Sequence, residues 1–415
     1  MAAPKLRFKE FDGDWGFKKI GDISECIVPG RNKPKLFDGD IPWVTTPDLK
    51  DKTYVSDTRS NYYISEEEAK TVGSKIVPAN SVIMSCVGDL GLFAINTKPI
   101  VINQQLHAFI LNDHKYSSIF ILNALSKNQD YIEKVATKTA LPYLNKDNCN
   151  SIPLFLCSFK EQTKIASFLS AVDEKISQLM QKHELLRQYK QGMMQKLFSQ
   201  QIRFKADDGS EFGEWEETKF SDQFTFHNTN SHSRALMTEQ GEIMNIHYGD
   251  IHTKFSMLFD VNKESVPFLI DEIDTSKIAK DQFLKVGDLV IADASEDYKD
   301  IGKAIEVVNL DDKKVVAGLH TYIARPLETY ALGFCGYMMQ TFKVREQIKK
   351  LATGISVLGI SKSNLGKVEL KMPCLEEQTK IANFLSAIDQ KIEVVTQQIE
   401  QAKHWKKGLL QQMFV

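Results

Sequence analysis

Nowhere does this 415-residue chain hold an apolar run near the roughly 20 residues that a membrane-spanning helix needs. Residues Met1 to Asp14 are polar and charged and lack the apolar core of a secretory signal. The six cysteines (Cys26, Cys86, Cys149, Cys157, Cys335 and Cys374) are scattered, with no pair at Cys-x-x-Cys spacing. That spacing suggests neither a zinc motif nor a disulfide framework, and it fits a reducing cytoplasm. Neither charge is in excess: 52 lysines and arginines meet 54 aspartates and glutamates, for a net charge of −2. Such a balance argues against an indiscriminate polyanion binder, but it leaves room for basic loops or a basic partner.

Catalytic signatures are missing too. The chain has no Gly-x-x-x-x-Gly-Lys-Ser/Thr loop, Gly-x-Gly-x-x-Gly, Gly-x-Ser-x-Gly or His-Glu-x-x-His. It also lacks the Asn/Asp-Pro-Pro-Tyr/Phe tetrapeptide of amino-methyltransferases. Pro47-Asp48 followed by Glu68-Ala69-Lys70 formally fits a loose nuclease pattern, but carboxylates and lysines are common enough to give it by chance. The nine histidines are dispersed, and His227, His232, His247 and His252 are close only in sequence, so no metal site is read from them.

What the chain does have is a duplication. Glu161-Gln162-Thr163-Lys164-Ile165-Ala166-Ser167-Phe168-Leu169 returns, 216 positions on, as Glu377-Gln378-Thr379-Lys380-Ile381-Ala382-Asn383-Phe384-Leu385. Each copy opens a heptad seam. The first runs through Ile165, Leu169, Val172, Ile176 and Leu179, then His183, Leu186, Lys190, Met193 and Leu197. The second runs through Ile381, Leu385, Ile388, Ile392 and Val395, then Ile399, Ala402, Lys406, Leu409 and Met413. Steps of four and three are those of a coiled coil. A helix of about 35 residues is on the order of 50 Å long. Matching seams pair within one chain or between two; effective concentration favours the first.

Before each long helix lies a mixed segment. Ile41–Thr46, Val82–Val87, Val101-Ile102 and Ala108–Leu111 read as strands, Glu66–Thr71 and Ser118–Lys134 as helices. Arg203-Phe204-Lys205 echoes Arg7-Phe8-Lys9, and Val315–His320 falls near Val101–His107, with His320 one step from His107. Nothing in the second segment matches Ile41-Pro42-Trp43. The expected class is α+β: two similar mixed α/β globular domains separated by two long antiparallel coiled-coil helices, with an internal pseudo-two-fold. The boundaries are 1–160, 161–200, 201–375 and 376–415.

Basic and aromatic side chains gather in loop-like stretches. In the first globule these are Arg31, Lys33, Lys35, Trp43, Lys50, Lys52, Tyr54 and Arg59. In the second they are His232, Arg234, Tyr248, Lys254, Lys299 and Lys303, with His247 nearby. Such residues meet phosphates and base edges.

The duplicated motif, each copy closing a variable globule, resembles the specificity subunit of type I restriction-modification systems. Ile41-Pro42-Trp43-Val44-Thr45 with Asp48-Leu49, Tyr248–Lys254, Gly287-Asp288-Leu289-Val290 with Ala294–Asp297, and Ala317-Gly318-Leu319-His320 add to the likeness. The resemblance implies a non-catalytic, cytoplasmic DNA-recognition chain. Each globule would be a target recognition domain for half of a bipartite site on double-stranded DNA. The helices would set the gap and dock modification (methyltransferase) subunits, which hold S-adenosylmethionine. A restriction subunit using ATP and Mg can join. No cofactor is expected in this chain. The competing reading is a protein-interaction scaffold without DNA contact.

Overall fold

The computed structural model describes residues 3–30, 32–50, 52–112 and 114–415. It divides into two units, Met1–Lys182 with Val395–Val415, and His183–Val394. In the first, a five-stranded sheet runs in the order Ser24–Ile27, Leu106–Leu111, Val82–Ser85, Phe93–Asn96, Tyr54–Val55. Its two faces separate by the period-two rule. Val82, Met84 and Phe109 face the core that holds the helix Ser118–Lys127 and the start of a long helix. Ile83, Ala94 and Ala108 face a second core. A smaller sheet orders Tyr63–Ile64, Ile41–Val44 and Val101–Ile102, the last two parallel. Pro42 lies near the start of its strand, before the parallel pairing begins at Trp43 and Val101.

The second unit repeats this plan. Its five-stranded sheet runs Phe224–His227, Thr321–Pro326, Leu289–Ala292, Ala304–Asn309, Leu258–Asp260. Its four-stranded sheet runs Met237–Thr238, Phe268–Leu269, Ile243–Ile246, Lys314–Ala317. Ile243–Ile246 pairs in parallel with Lys314–Ala317, and so stands where Ile41–Val44 stands in the first unit. The sequences differ there, but the strands are equivalent.

One expected helix is two. Ser118–Lys127 and Gln129–Val135 are parted at Asn128. Its amide donates to the carbonyls of Ala124 (2.8 Å) and Pro153 (3.0 Å), drawing the turn out of helical geometry.

The long helices are Phe159–Phe198 and Leu375–Met413, and each contributes one stretch to each unit. In the first unit, Ile165, Leu169, Val172 and Ile176 share a core with Leu409 and Met413. In the second, Leu197 shares one with Ile381, Leu385 and Ile388. The head of one helix packs beside the tail of the other, the antiparallel arrangement, and the pairing is within the chain. Leu179 and Val395 are buried, and Ile392 is half-buried. Two ion pairs recur at equivalent seam positions: Asp173 with Lys406 at 2.5 Å, and Lys190 with Asp389 at 2.6 Å. Lys190 is thus a polar seam residue with a partner; Tyr337 also donates its hydroxyl to Asp389 at 2.7 Å.

The duplicated motif is a fastening. Glu161 accepts two bonds from Arg7 (2.8 and 2.8 Å), and Glu377 two from Arg203 (3.1 and 2.7 Å). Gln162 accepts from the Ser117 N–H and donates to the Cys157 carbonyl; Gln378 does the same with Ala331 and Pro373. The Arg-Phe-Lys and Glu-Gln-Thr-Lys echoes are therefore two halves of one latch, present in both units.

A buried acid adds a pH dependence to the second unit. Glu306 is 2% exposed and accepts N–H bonds from Gly333 and Gly336, both at 2.6 Å. Burial pushes its carboxyl from 4.5 up to about 7, against those two donors. A raised folded value means that the unfolded chain releases the proton first. The contribution to stability is full below about 4.5 and is lost as pH rises through about 7, by up to about 3 kcal/mol. Urea midpoints of Glu306→Gln should fall less over this window than those of the parent; equal slopes would remove Glu306 as the cause.

Candidate nucleic-acid interface

In the second unit, the strand Ile243–Ile246 runs into the short helix Tyr248–Thr253. His247 caps it, its Nδ1 accepting the Gly249 N–H at 3.1 Å. Burial, then the nearby Arg234 charge, lowers the His247 imidazole below its ordinary value, so it stays a neutral acceptor. Asp250, in the first helical turn, is 1% exposed. It binds the Arg234 guanidinium at 2.8 Å and the Lys254 ammonium at 3.3 Å. Its Oδ2 has no hydrogen-bond partner among the described residues. One buried carboxylate thus anchors two exposed cations side by side.

Tyr248 is half-buried against three imidazoles, His247, His252 and His320, at ring separations of 4.6, 6.0 and 5.4 Å. Lys303 donates to the His252 carbonyl at 2.7 Å. His320 lies in the left-handed region (φ 57°) and its Nδ1 sits 3.2 Å from Asp293. Gly318, two residues before His320, lies so close to Asn245 that a Cβ there would stand 2.6 Å from its amide nitrogen. Lys299 is exposed; with Lys303, Arg187, Lys343 and Arg345 it lines a broad groove of this unit that also holds Asp300. His232 is half-buried in the loop before Arg234.

The first unit puts a parallel construction in the same topological place. Thr45 caps the short helix Thr46–Leu49. Asp48, fully buried, accepts from the Thr45 N–H and hydroxyl (2.7 Å each) and from the Arg59 N–H (2.6 Å). Asp48 and Asp250 are thus counterparts, each fixing a basic residue. The Arg59 guanidinium rests on the Lys50 carbonyl at 3.0 Å. Lys33, Lys35, Lys50, Lys52, Tyr54 and Arg59 are exposed. Trp43 is not: its indole is 5% exposed, packed on Phe37 and Tyr62, with the Lys33 ammonium 5.6 Å from the ring centre. Arg31 lies outside the described residues.

Sequence reasoning passed over the amides of this site. Thr46 donates to Gln105 at 3.2 Å, as does Asn103 at 3.2 Å, and Gln104 reaches the carbonyls of Gly30 and Asn32. Three consecutive amide residues between two apolar strands were the available signal. The two histidines one step apart by sequence register also separate. His107 is buried within the strand Leu106–Leu111, whereas His320 precedes the equivalent strand Thr321–Pro326.

The family model for the type I restriction modification DNA specificity domain matches residues 12–187 and 213–404. The chain belongs to that specificity family. Specificity subunits are the non-catalytic members of type I systems. The MjaVIII specificity subunit of Methanocaldococcus jannaschii is 25% identical over 97% of this chain and 94% of its own length. The MjaIX specificity subunit of the same organism is 28% identical over 191 residues, and the chain spans 44% of that relative's length. The solved S subunit from M. genitalium shares the specificity-subunit fold across 100% of this chain and 99% of its own, with a TM-score of 0.58 at 15% identity. Among the described residues, no helix of this specificity chain is long and apolar enough to cross a membrane.

Proposed function

We propose that this specificity chain is the DNA-reading subunit of a cytoplasmic type I restriction-modification complex. Each unit reads one half of a bipartite site, and the paired long helices set the unread gap and dock the modification subunits. Those partners carry S-adenosylmethionine; a restriction partner carries ATP and Mg.

The observation that carries the reading is the pair of polar clusters at equivalent strand ends of the two units. The scaffold under them is copied, down to the buried Asp48 and Asp250, while the exposed side chains differ: Lys50, Arg59 and Gln105 in one, Arg234, Lys254 and His320, beside the half-buried Tyr248, in the other. Two readers with different side chains on one scaffold suit two different half-sites. Arg234, held by Asp250, is placed to bond bidentately to a base edge or to neutralise a phosphate.

Arg234→Ala, in the assembled complex, is expected to weaken binding to the cognate site by roughly 10- to 100-fold (about 1–3 kcal/mol) and to relax one half-site only. Methylation mapping of a host carrying the variant reads this directly. Equal relaxation of both halves would contradict one reader per unit. An unchanged map, with no footprint on either segment, would favour the protein-scaffold alternative.

A further inference from the structure

Cys86, His107 and Cys149 are far apart in sequence and meet inside the first unit. The Sγ atoms of Cys86 and Cys149 are 3.6 Å apart, and His107 Nδ1 is 3.2 Å from Cys149 Sγ. The three ligand atoms all lie within 4.8 Å of one another, and their residues are 0%, 6% and 0% exposed. Tetrahedral zinc, with Zn–S of about 2.3 Å and Zn–N of about 2.0 Å, holds its sulfurs about 3.8 Å apart and a sulfur and nitrogen about 3.5 Å apart. The Cys86–Cys149 and His107–Cys149 spacings are within a few tenths of an ångström of that geometry.

The fold explains the convergence. Met84 pairs with His107 across two strands, and Cys86 follows two residues later on the same face. Cys26 pairs with Phe109, which shares that face with His107. Cys149 descends onto the face from the helix Lys146–Asn150. Cys26, 4% exposed, lies in the same core cluster just outside that group of three, and offers a third sulfur as the fourth ligand.

The duplicate shows what the niche holds when only packing is required. By the strand pairings, Phe226 and Tyr322 stand where Cys26 and His107 stand. Leu365, in the equivalent capped helix Lys362–Gly366, stands where Cys149 stands. Phe226 and Tyr322 pack ring to ring at 5.8 Å. In the second unit three of the four positions are thus aromatic or aliphatic, with Asp293 following the strand where Cys86 stands; in the first unit all four carry a thiol or an imidazole.

We propose that Cys86, His107 and Cys149 bind one zinc ion, with Cys26 completing a closed structural site. Each thiol that binds gives its proton to solvent, and the metal keeps its oxidation state. The Cys86 carbonyl accepts from Leu144 N–H, and Pro142 accepts from Gly88 N–H. The ion would therefore tie the turn after Cys86 to the segment from which Leu141 and Tyr143 project, 59% and 46% exposed. The zinc stiffens a surface rather than performing chemistry.

The test uses the full-length chain, expressed without a metal-affinity tag in zinc-supplemented medium and purified with reductant. Elemental analysis and native mass spectrometry should find near-stoichiometric zinc. Cobalt replacement should give thiolate charge-transfer and tetrahedral ligand-field bands. The double variant H107Y/C149L puts the side-chain types of Tyr322 and Leu365 at the equivalent positions, so it should fold and carry no metal, and chelation should lower Tm in the parent only. Cys86→Ser, which keeps the volume, should lose zinc to a chelator that the parent resists. A parent chain that stays metal-free when challenged with zinc, or a double variant that retains it, overturns the proposal. So does a Cys86–Cys149 disulfide in the reductant-purified chain. None of these measurements involves DNA, so failure here leaves the proposed function standing.

Discussion

Arg203→Ala is expected to lower the unfolding free energy of the second unit by about 3–5 kcal/mol. Glu377, at the head of the second long helix, has a side chain only 1% exposed and is held by two guanidinium bonds and the Trp215 indole N–H at 2.9 Å. Without Arg203 the carboxylate is left in the core with one neutral donor, and it must either stay charged in a poor solvent or take up a proton. The guanidinium also bonds the Gly213 carbonyl at 2.6 Å, so the strap before Trp215 loosens as well. A surface pair such as Lys75–Glu25, with both side chains more than half exposed, contributes only about 0–1 kcal/mol. Arg203→Lys should recover part of the loss, because an ammonium is a point charge and lacks the guanidinium fork. Arg7→Ala should cost the first unit at least as much. Glu161 has no indole donor to fall back on, since the Trp15 Nε1 has no partner among the described residues. Urea unfolding followed by tryptophan fluorescence gives these values. A loss below about 1 kcal/mol would mean that the latch is an ordinary surface pair.

The latch and the helices were legible because their residues repeat as a block. A constant offset of 216 along the block from Glu161 to Leu169 and its copy from Glu377 to Leu385 marks the duplication, and the four-three seam marks the helices without reference to anything distant. The partner of the motif was visible as well, in the Arg7 and Arg203 echoes, but nothing local says that an arginine 154 residues upstream meets Glu161. Ile243–Ile246 shows a different limit. It shares no identity with Ile41-Pro42-Trp43 beyond its first residue, because each buried position of this strand takes either an apolar side chain or a satisfied polar one: Asn245, accepting from the Asn230 amide at 2.7 Å, stands where Trp43 stands. Trp43 is itself buried: Pro42-Trp43-Val44 is a continuous apolar run, the mark of a strand covered on both faces, and not an aromatic offered to a ligand. The Cys86, His107 and Cys149 cluster has no local signature at all. Its ligands come from a strand end, a neighbouring strand and a helix, and cysteine spacing carries information only when the ligands share a loop or a turn.

Lengthening the helix pair should move the gap. Four residues inserted after Gln181, with four more at the equivalent point after Gln397, add about 6 Å to each helix at 1.5 Å per residue. Four is itself a step of the seam, so the apolar stripe resumes on nearly the same face. With both helices extended, Asp173 keeps Lys406 and Lys190 keeps Asp389, since each pair lies wholly within one unit. DNA rises about 3.4 Å per base pair, so the recognised gap is expected to grow by one to two base pairs while both half-sites keep their sequences. Two inserted residues instead turn the following stripe by about 200° and point it away from its partner, so that variant should lose stability and methylation together. Methylation mapping of a host supplying the modification subunits separates the cases. A four-residue variant that methylates at full efficiency with the parental gap would show that spacing is set elsewhere, by the partners or by the DNA. A lengthened gap with intact half-sites would show that the helix pair is the ruler.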